Sequence, residues 1–369
     1  MLYLHIPYCH RKCTYCAFYS VVTAGGTQEY VDALCLELRR RSHCMEHSLR
    51  TVYFGGGTPS LLPVAQLAQI IDTIRSCFDV SDLEEVTIEA NPEDLTRDYL
   101  SDLRRLSFVD RVSVGIQSFH DGDLRLLNRR HDSRQAREAL ENVVAAGFER
   151  LSVDLIYGLP GQTTEDWLYN LAQLEDLPVG HLSAYALTVE EGTMLHQQIG
   201  QGRVKPCDEE TVLSHYNALL RWAGEHDFHQ YEVSNFARPE QRAVHNSRYW
   251  NRTPYLGVGA AAHSFDGCRR RWNVADAQRY IGSVMSGPID HEEEEITLMD
   301  AYNEYLMTAL RTVEGIDKSL IAAPFADRLG CDIQGFISSG LILDTPTHYR
   351  PTPDGLLHAD GMAAELFAL

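Results

Sequence analysis

Six short runs rich in apolar and β-branched residues recur down the first half of this 369-residue chain, at Leu2 to Ile6, Thr51 to Phe54, Glu85 to Ala90, Arg111 to Ile116, Ser152 to Ile156 and His181 to Leu187. Between them lie segments with the length and periodicity of helices, among them Gln28 to Arg41, Val64 to Cys77, Arg134 to Ala146 and Thr164 to Leu174. Alternation of strand and helix predicts a parallel sheet, because parallel strands need a long crossover between them. The runs read as almost wholly apolar, which predicts cover on both faces. Polar or glycine residues follow five of the six at once. A loop with Cys9, Cys13 and Cys16 follows the first, Gly55 to Ser60 the second, Glu89 to Asp94 the third, Gln117 to Phe119 the fourth and Tyr157 to Thr163 the fifth. In a barrel of such units the active site is built at that C-terminal edge. Six units predict an α/β fold, a partial (β/α)6 barrel with an open mouth.

Lysines and arginines number 32 against 52 aspartates and glutamates, a formal charge of −20. That balance repels phosphate backbones and anionic lipid, so no nucleic-acid partner is expected. The chain does not open on a basic segment followed by an apolar run. No uncharged stretch reaches the roughly 20 residues of a membrane span, so a cytoplasmic protein is expected. Six of the nine cysteines (Cys35, Cys44, Cys77, Cys207, Cys268 and Cys331) are scattered without ligand or pairing spacing, as suits free thiols in a reducing compartment.

The other three are different. Cys9, Cys13 and Cys16 form a C-x3-C-x2-C run that offers three thiolates from one loop. Thiolate is the soft ligand of iron–sulfur clusters and of zinc. A 4Fe-4S cluster held by three cysteines keeps one iron without a protein ligand, whereas structural zinc wants four ligands. His5 and His10 lie close enough in sequence to complete a zinc site, so spacing alone leaves both metals open.

Three stretches of the chain read differently. Residues 1–204 carry the strand–helix units, and residues 205–300 are less regular, with Tyr231 to Ala237, HNSRYW (His245 to Trp250) and the glycine-rich Leu256 to Phe265. The acidic run Glu292 to Glu295 is expected to cap a following helix or face solvent. Residues 301–369 read as helices, two short strands and a last helix through Leu369, an order resembling a small winged-helix module.

The cysteine triplet after a first strand, the glycine triplet after a second and the partial barrel together resemble the radical S-adenosylmethionine (SAM) superfamily. Within it the chain looks like the oxygen-independent coproporphyrinogen III oxidase (HemN) family, and most like its HemW-type haem-chaperone branch. The resemblance implies a TIM-like radical SAM barrel with an α+β extension and a C-terminal winged-helix-like module. It also implies a 4Fe-4S cluster on Cys9, Cys13 and Cys16, and SAM chelating the open iron through its amino and carboxylate groups. Carried over position by position, Tyr3 reaches the SAM end of the cluster and Tyr15 lies against adenine. Gly56, Gly57 and Thr58 form a turn close to the methionine amino group, where only glycine allows the approach. Glu89 accepts from SAM, Gln117 and Arg129 donate to its ribose or carboxylate, Asp154 suits a ribose hydroxyl and Ala186 gives a backbone contact.

Two departures bear on the branch. The oxidase has a further cysteine two residues beyond the third cluster ligand, where this chain has Phe18, and an N-terminal extension, where this chain has eight residues before Cys9. HNSRYW matches the H-N-x-x-Y-W pattern associated with haem in the HemW branch. There His245 is the candidate iron ligand, Tyr249 and Trp250 are flat faces for porphyrin, and His263 is a second candidate ligand. The resemblance thus implies a chaperone that binds haem and passes it to acceptor haemoproteins, touching membrane respiratory proteins peripherally and forming a homodimer. The alternative is an enzyme, the SAM-dependent oxidative decarboxylase of coproporphyrinogen III in porphyrin biosynthesis. Asn128, where many relatives have glycine, is a minor departure at a turn.

Overall fold

Six parallel strands, β1 (Leu2–Ile6), β2 (Thr51–Gly56), β3 (Glu85–Ala90), β4 (Arg111–Gln117), β5 (Arg150–Tyr157) and β6 (His181–Ala186), lie side by side in sequence order. This arrangement comes from a computed structural model, which describes residues 1–23, 25–45 and 47–368. Register runs unbroken between the first two strands, from Leu2 beside Val52 to Ile6 beside Gly56. Helices α1 (Gln28–Arg41), α2 (Val64–Cys77), α3 (Arg97–Arg105), α4 (Asp121–Leu126), α5 (Ser133–Ala145) and α6 (Thr164–Ala172) provide the crossovers. Several start on side-chain caps that satisfy free backbone N–H groups: Thr96 on α3, Asp132 on α5 and Thr163 on α6, the last two as capping boxes.

The strands are not apolar on both faces. Leu2, Leu4, Ile6, Val52, Phe54, Ile88, Val112, Val114, Val153 and Leu182 are buried in the core shared with the helices. Their alternate neighbours, Tyr3, His5, Tyr53, Glu89, Ser113 and Asp154, contact one another on the inner face. The period of two therefore sorts each strand into an apolar outer face and a polar lumen. This corrects the expectation of wholly apolar strands, and it arises because tyrosine and single polar residues sit among β-branched neighbours without breaking the strand.

The sheet grows at both edges from the less regular region. α7 (Met194–Gly200) and α8 (Glu209–Glu225) lead to β7 (His229–Gln230) and β8 (Asn235–Ala237), and β8 pairs antiparallel with β6. After α9 (Val244–Trp250), β9 (Leu256–Val258) pairs parallel with β1, giving the order β9-β1-β2-β3-β4-β5-β6-β8-β7. A separate antiparallel sheet follows, of β10 (His263–Phe265), β11 (Arg269–Asn273) and β12 (His291–Glu295), with α10 (Ala277–Ser286) between the last two. The acidic run is thus strand β12 itself and not a helix cap, although it is exposed as expected. It sits opposite the Arg269 to Arg271 stretch, where Arg269 pairs with Glu295 and Arg270 with Glu294.

The chain ends in a module with its own core of Tyr302, Leu306, Leu310, Ile316, Leu329, Ile333, Ile342, Met362 and Leu366. Its order is α11 (Leu298–Ala309), β13 (Ile316–Asp317), α12 (Ala323–Asp332), α13 (Gln334–Ser338), β14 (Ile342–Asp344) and β15 (His348–Pro351), then α14 (Pro353–Leu357) and α15 (Ala359–Leu366). β15 lies antiparallel between β13 and β14, the topology of a winged helix. Leu369 lies outside the described residues. Among those described, no helix is long and apolar enough to cross a membrane.

Candidate functional site

The three cysteines lie just past the end of β1, in a loop pinned by backbone bonds to the chain after α4 and to the start of α7: Thr14 N donates to Leu127 O at 3.1 Å, and Leu195 N donates to Thr14 O at 2.8 Å. All three thiols are free and half-buried, and they line one cleft of about 520 Å³ at the strand ends. Thr58 Oγ1 donates to Cys9 Sγ and Arg129 Nη1 to Cys13 Sγ, each at 3.4 Å. Burial pushes the Cys9 and Cys16 thiols up, with Thr58 opposing it at Cys9. A metal offers the compensation that such thiolates need. His5 is not available to close a zinc site. Its Nε2 donates to Tyr19 O at 3.1 Å, which leaves Nδ1 to accept from the Tyr3 hydroxyl at 3.0 Å. No three His, Cys, Asp or Glu side chains among the described residues converge on a single ion. Three thiols from one loop fit a cluster, which takes three protein ligands.

Beside the thiols runs a wall of polar groups from the strand ends and from the loop after α4. Arg129 Nη2 donates to Asn91 Oδ1 at 2.6 Å and to Gly115 O at 2.7 Å, while its Nε is buried without a partner. Asn91 Nδ2 donates to Thr58 Oγ1 at 3.0 Å, linking the ends of β2, β3 and β4. Gln117 lines the cleft at a register shift in β4, held at φ +70°, a conformation that non-glycine residues adopt only when their surroundings impose it. Glu89 Oε1 accepts from Tyr53 OH at 2.7 Å, and Oε2 accepts from Gly56 N at 3.1 Å. Burial pushes Glu89 up to about 7, helped by the charge of Asp154 and opposed by those two hydrogen bonds. Asp154 is itself raised to about 6 by burial, against bonds from Ser183 and Ser113. Two raised carboxyls in one lumen mark a place suited to a cation or to hydrogen-bond donors.

The other expected SAM contacts divide. Tyr15 lines the cleft and packs, as Leu187 does, against the cluster of Leu127, Ile156 and Leu159, and Ala186 lines the cleft beside the exposed Tyr185. Tyr3 does not line it: its hydroxyl is bound to His5 and its ring lies over Tyr53 at 6.1 Å, a layer deeper in the lumen. Gly56, Gly57 and Thr58 line the cleft, and the two glycines are also needed for packing. A Cβ on Gly56, which has φ +111°, would meet the His5 ring at 2.7 Å, and one on Gly57 would meet the Pro7 and Tyr8 backbone at 2.8 Å. The missing side chains let the turn pack against β1 and the base of the cysteine loop.

HNSRYW is helix α9, and its first residue of interest is enclosed. Glu85 Oε2 accepts from Val244 N and Oε1 from His245 N, at 3.0 and 2.8 Å, which fixes the start of the helix. His245 is 0% exposed. Its Nδ1 is 2.8 Å from Thr51 Oγ1 and its Nε2 3.1 Å from the Tyr249 hydroxyl, and its ring stacks on Tyr53 at 5.0 Å. Burial, with help from the N-terminal amino group and Arg248, lowers it to about 3. Tyr249 turns its ring edge-on to Tyr255, and Trp250 is half-buried. In this conformation both ring nitrogens of His245 are engaged, so the Thr51 or Tyr249 hydroxyl has to turn away before the imidazole can meet an iron. His263 on β10 is exposed.

Sequence reasoning overlooked Tyr53, Ser113 and Ser183, the lumen partners of Glu89 and Asp154. Their only signal is the alternation within each strand. Asn91 stood in view at the end of β3, but nothing in the sequence told that it joins Thr58 to Arg129.

A family model described as the Radical SAM superfamily matches residues 3–173, and one described as the HemN C-terminal domain matches residues 296–358. The chain is 33% identical over 343 residues to the heme chaperone HemW of Bacillus subtilis (strain 168), covering 92% of this chain and 89% of that one. It is 30% identical over 378 residues to the heme chaperone HemW of Escherichia coli (strain K12), covering 99% and 97%. The solved structure of the coproporphyrinogen III oxidase HemN from Escherichia coli, a radical SAM enzyme, superposes with a TM-score of 0.85 at 24% identity, covering 100% of this chain and 89% of that one, a likeness of fold. By these matches along nearly its whole length, the chain belongs to the HemW family of the radical SAM superfamily.

Proposed function

We propose that this protein is a haem chaperone of the cytoplasm that binds a 4Fe-4S cluster, SAM and haem, and delivers haem to acceptor haemoproteins. The observation that carries the reading is the 33% identity over 92% of the chain to a relative named as a heme chaperone. Cys9, Cys13 and Cys16 would hold the cluster, which would supply a chelation point and one electron for SAM. Arg129 sets a fixed positive charge beside Cys13 and the cleft, balancing the negative charge that three thiolates bring. Thr58 orients Cys9, and Gln117, Tyr15 and Ala186 shape the wall against which the cofactor rests. Glu89 and Asp154 would accept hydrogen bonds from its amino and hydroxyl groups. Gly56 and Gly57 line the cleft beside Thr58 and keep the turn tight against β1, while Tyr3 acts a layer deeper through His5.

The oxidase reading shares the fold. Against it stands Phe18, which lines the cleft and is 71% exposed where the resemblance places a cysteine in the oxidase. The test is anaerobic reconstitution of the protein, followed by a haem titration and by incubation with SAM, a reductant and coproporphyrinogen III. Expected are one oxygen-sensitive cluster, lost when Cys9, Cys13 and Cys16 are all changed to alanine, haem binding, and no protoporphyrinogen. Conversion of coproporphyrinogen III at a rate comparable to an authentic oxidase overturns the chaperone reading.

A further inference from the structure

Glu89 lines the cleft, and a single side chain joins it to the histidine of α9. Tyr53 stands in the middle of β2, beside Tyr3 on β1 and Thr87 on β3. Its hydroxyl donates to Glu89 Oε1 at 2.7 Å, while its ring stacks on His245 with centroids 5.0 Å apart and planes 29° from parallel. The Tyr3 ring lies on the same tyrosine, at 6.1 Å and 24°. Gly55, two residues on, leaves room for this layer, since a Cβ there would meet the Tyr53 ring at 2.8 Å.

Cleft and motif thus address the two ends of one residue. At the far end His245 is parked: Thr51 and Tyr249 hold its two nitrogens, and Tyr53 holds its plane. To meet an iron, the imidazole has to lose one of those hydroxyls and shift on the Tyr53 ring. A ring tied at its hydroxyl resists that shift more than a free one. At the near end each oxygen of Glu89 accepts a single protein donor, Tyr53 on one and Gly56 N on the other. A carboxylate oxygen has two lone pairs, so a further donor fits without displacing Tyr53.

We propose that Tyr53 is a positioning residue that couples the SAM cleft to the haem histidine, so that SAM on Glu89 holds His245 in its enclosed position and weakens haem binding. The inference rests on the chaperone reading and names what regulates its haem site. One ligand acts on another only by contacting two arrangements of the protein differently. Here the difference lies in the Tyr53–Glu89 bond. With a positive group beside it Glu89 is held ionised, and a tyrosine hydroxyl donates more strongly to a carboxylate than to a neutral acid. The tighter bond fixes the Tyr53 ring, and the ring fixes the imidazole stacked on it. Coupling of this kind is reciprocal, so haem weakens SAM by the same factor.

The test uses the full chain with its cluster reconstituted, titrated with ferric haem with and without saturating SAM, and with SAM with and without haem. In wild type, haem affinity should fall about fivefold or more when SAM is present, and SAM affinity should fall by the same factor when haem is present. Tyr53→Phe keeps the ring and its stack on His245 but removes the donor to Glu89, so in this variant the effect of each ligand on the other should disappear. Tyr53→Leu removes the ring as well. It should lose the coupling and also alter the absorbance spectrum of the bound haem, because the imidazole is no longer held in one plane. A coupling in folded Tyr53→Phe as large as in wild type overturns the assignment. So does a wild type that binds both ligands independently, or that holds haem more tightly with SAM present. In each of these cases the chaperone reading stands. A wild-type protein that binds no haem at all removes both.

Discussion

Glu89 has both carboxylate oxygens engaged, by Tyr53 and by the Gly56 amide, yet burial still pushes it up to about 7 from an ordinary 4.5, with Asp154 adding to the shift. A carboxyl raised in the fold contributes stability that is complete below its unfolded value and is lost as the pH rises through its folded one. Glu89→Gln cannot titrate. The stability of the variant relative to wild type should therefore move in favour of glutamine between pH 5 and pH 8, by no more than about 3 kcal/mol. Urea denaturation at the two pH values measures it, and a difference that stays flat would show a carboxyl titrating as if in water. The residue type and strand-end position of Glu89 and Gln117 were legible in the sequence, because chemistry at the C-terminal edge of a barrel calls for polar groups there, whereas Arg129, in the loop after α4, came only with the resemblance. The direction of each side chain was not. Tyr3 and His245 were assigned by position in a motif, and only packing reveals that one lies a layer below the cleft and the other is enclosed.

Helix α9 illustrates how an element is held by a single buried charge. Glu85 accepts from Val244 N, His245 N and Arg111 Nε, while Arg111 also donates to Ser152 Oγ and to the carbonyls of Gln241 and Arg242. Both side chains are almost fully buried, so neither charge has water as an alternative partner. Glu85→Ala leaves Arg111 charged and unpaired and frees two amides at the start of the helix, which should cost about 3–5 kcal/mol. The double variant with Arg111→Ala should lose less than the sum of the two single losses, and chemical denaturation of all three proteins gives the coupling. Additive losses would mean that the pair does not act as a unit. No sequence pattern announces this contact, since Glu85 and Val244 are far apart in the chain and Glu85 opens a strand. The strands β1 to β6 and helices α1 and α2 were legible because long apolar runs and clear periods carry them. β12 was not, because four consecutive glutamates look like a solvated segment until the arginines of β11 are placed opposite them.

At the scale of the whole molecule, the terminal module keeps its own core, against which Val233 packs from outside it, and meets the rest through polar ties as well. Val233 N donates to Arg311 O at 2.9 Å and Val313 N to Tyr231 O at 3.2 Å. Glu304 on α11 binds Arg252 at 3.1 Å and Arg270 at 2.7 Å, and Arg270 also holds Glu294 of β12. A shared, half-buried carboxylate of this kind binds the module to the loop after α9 and to the small sheet together. Changing Glu304 to alanine leaves two guanidinium groups short of a partner at that junction, a loss of about 1–3 kcal/mol that the barrel strands do not feel. Because stability is local as well as global, the loss should appear as faster amide exchange in α11 and in β13 to β15, with β1 to β6 protected as before. Faster exchange throughout the barrel would instead make the module and the barrel one cooperative unit.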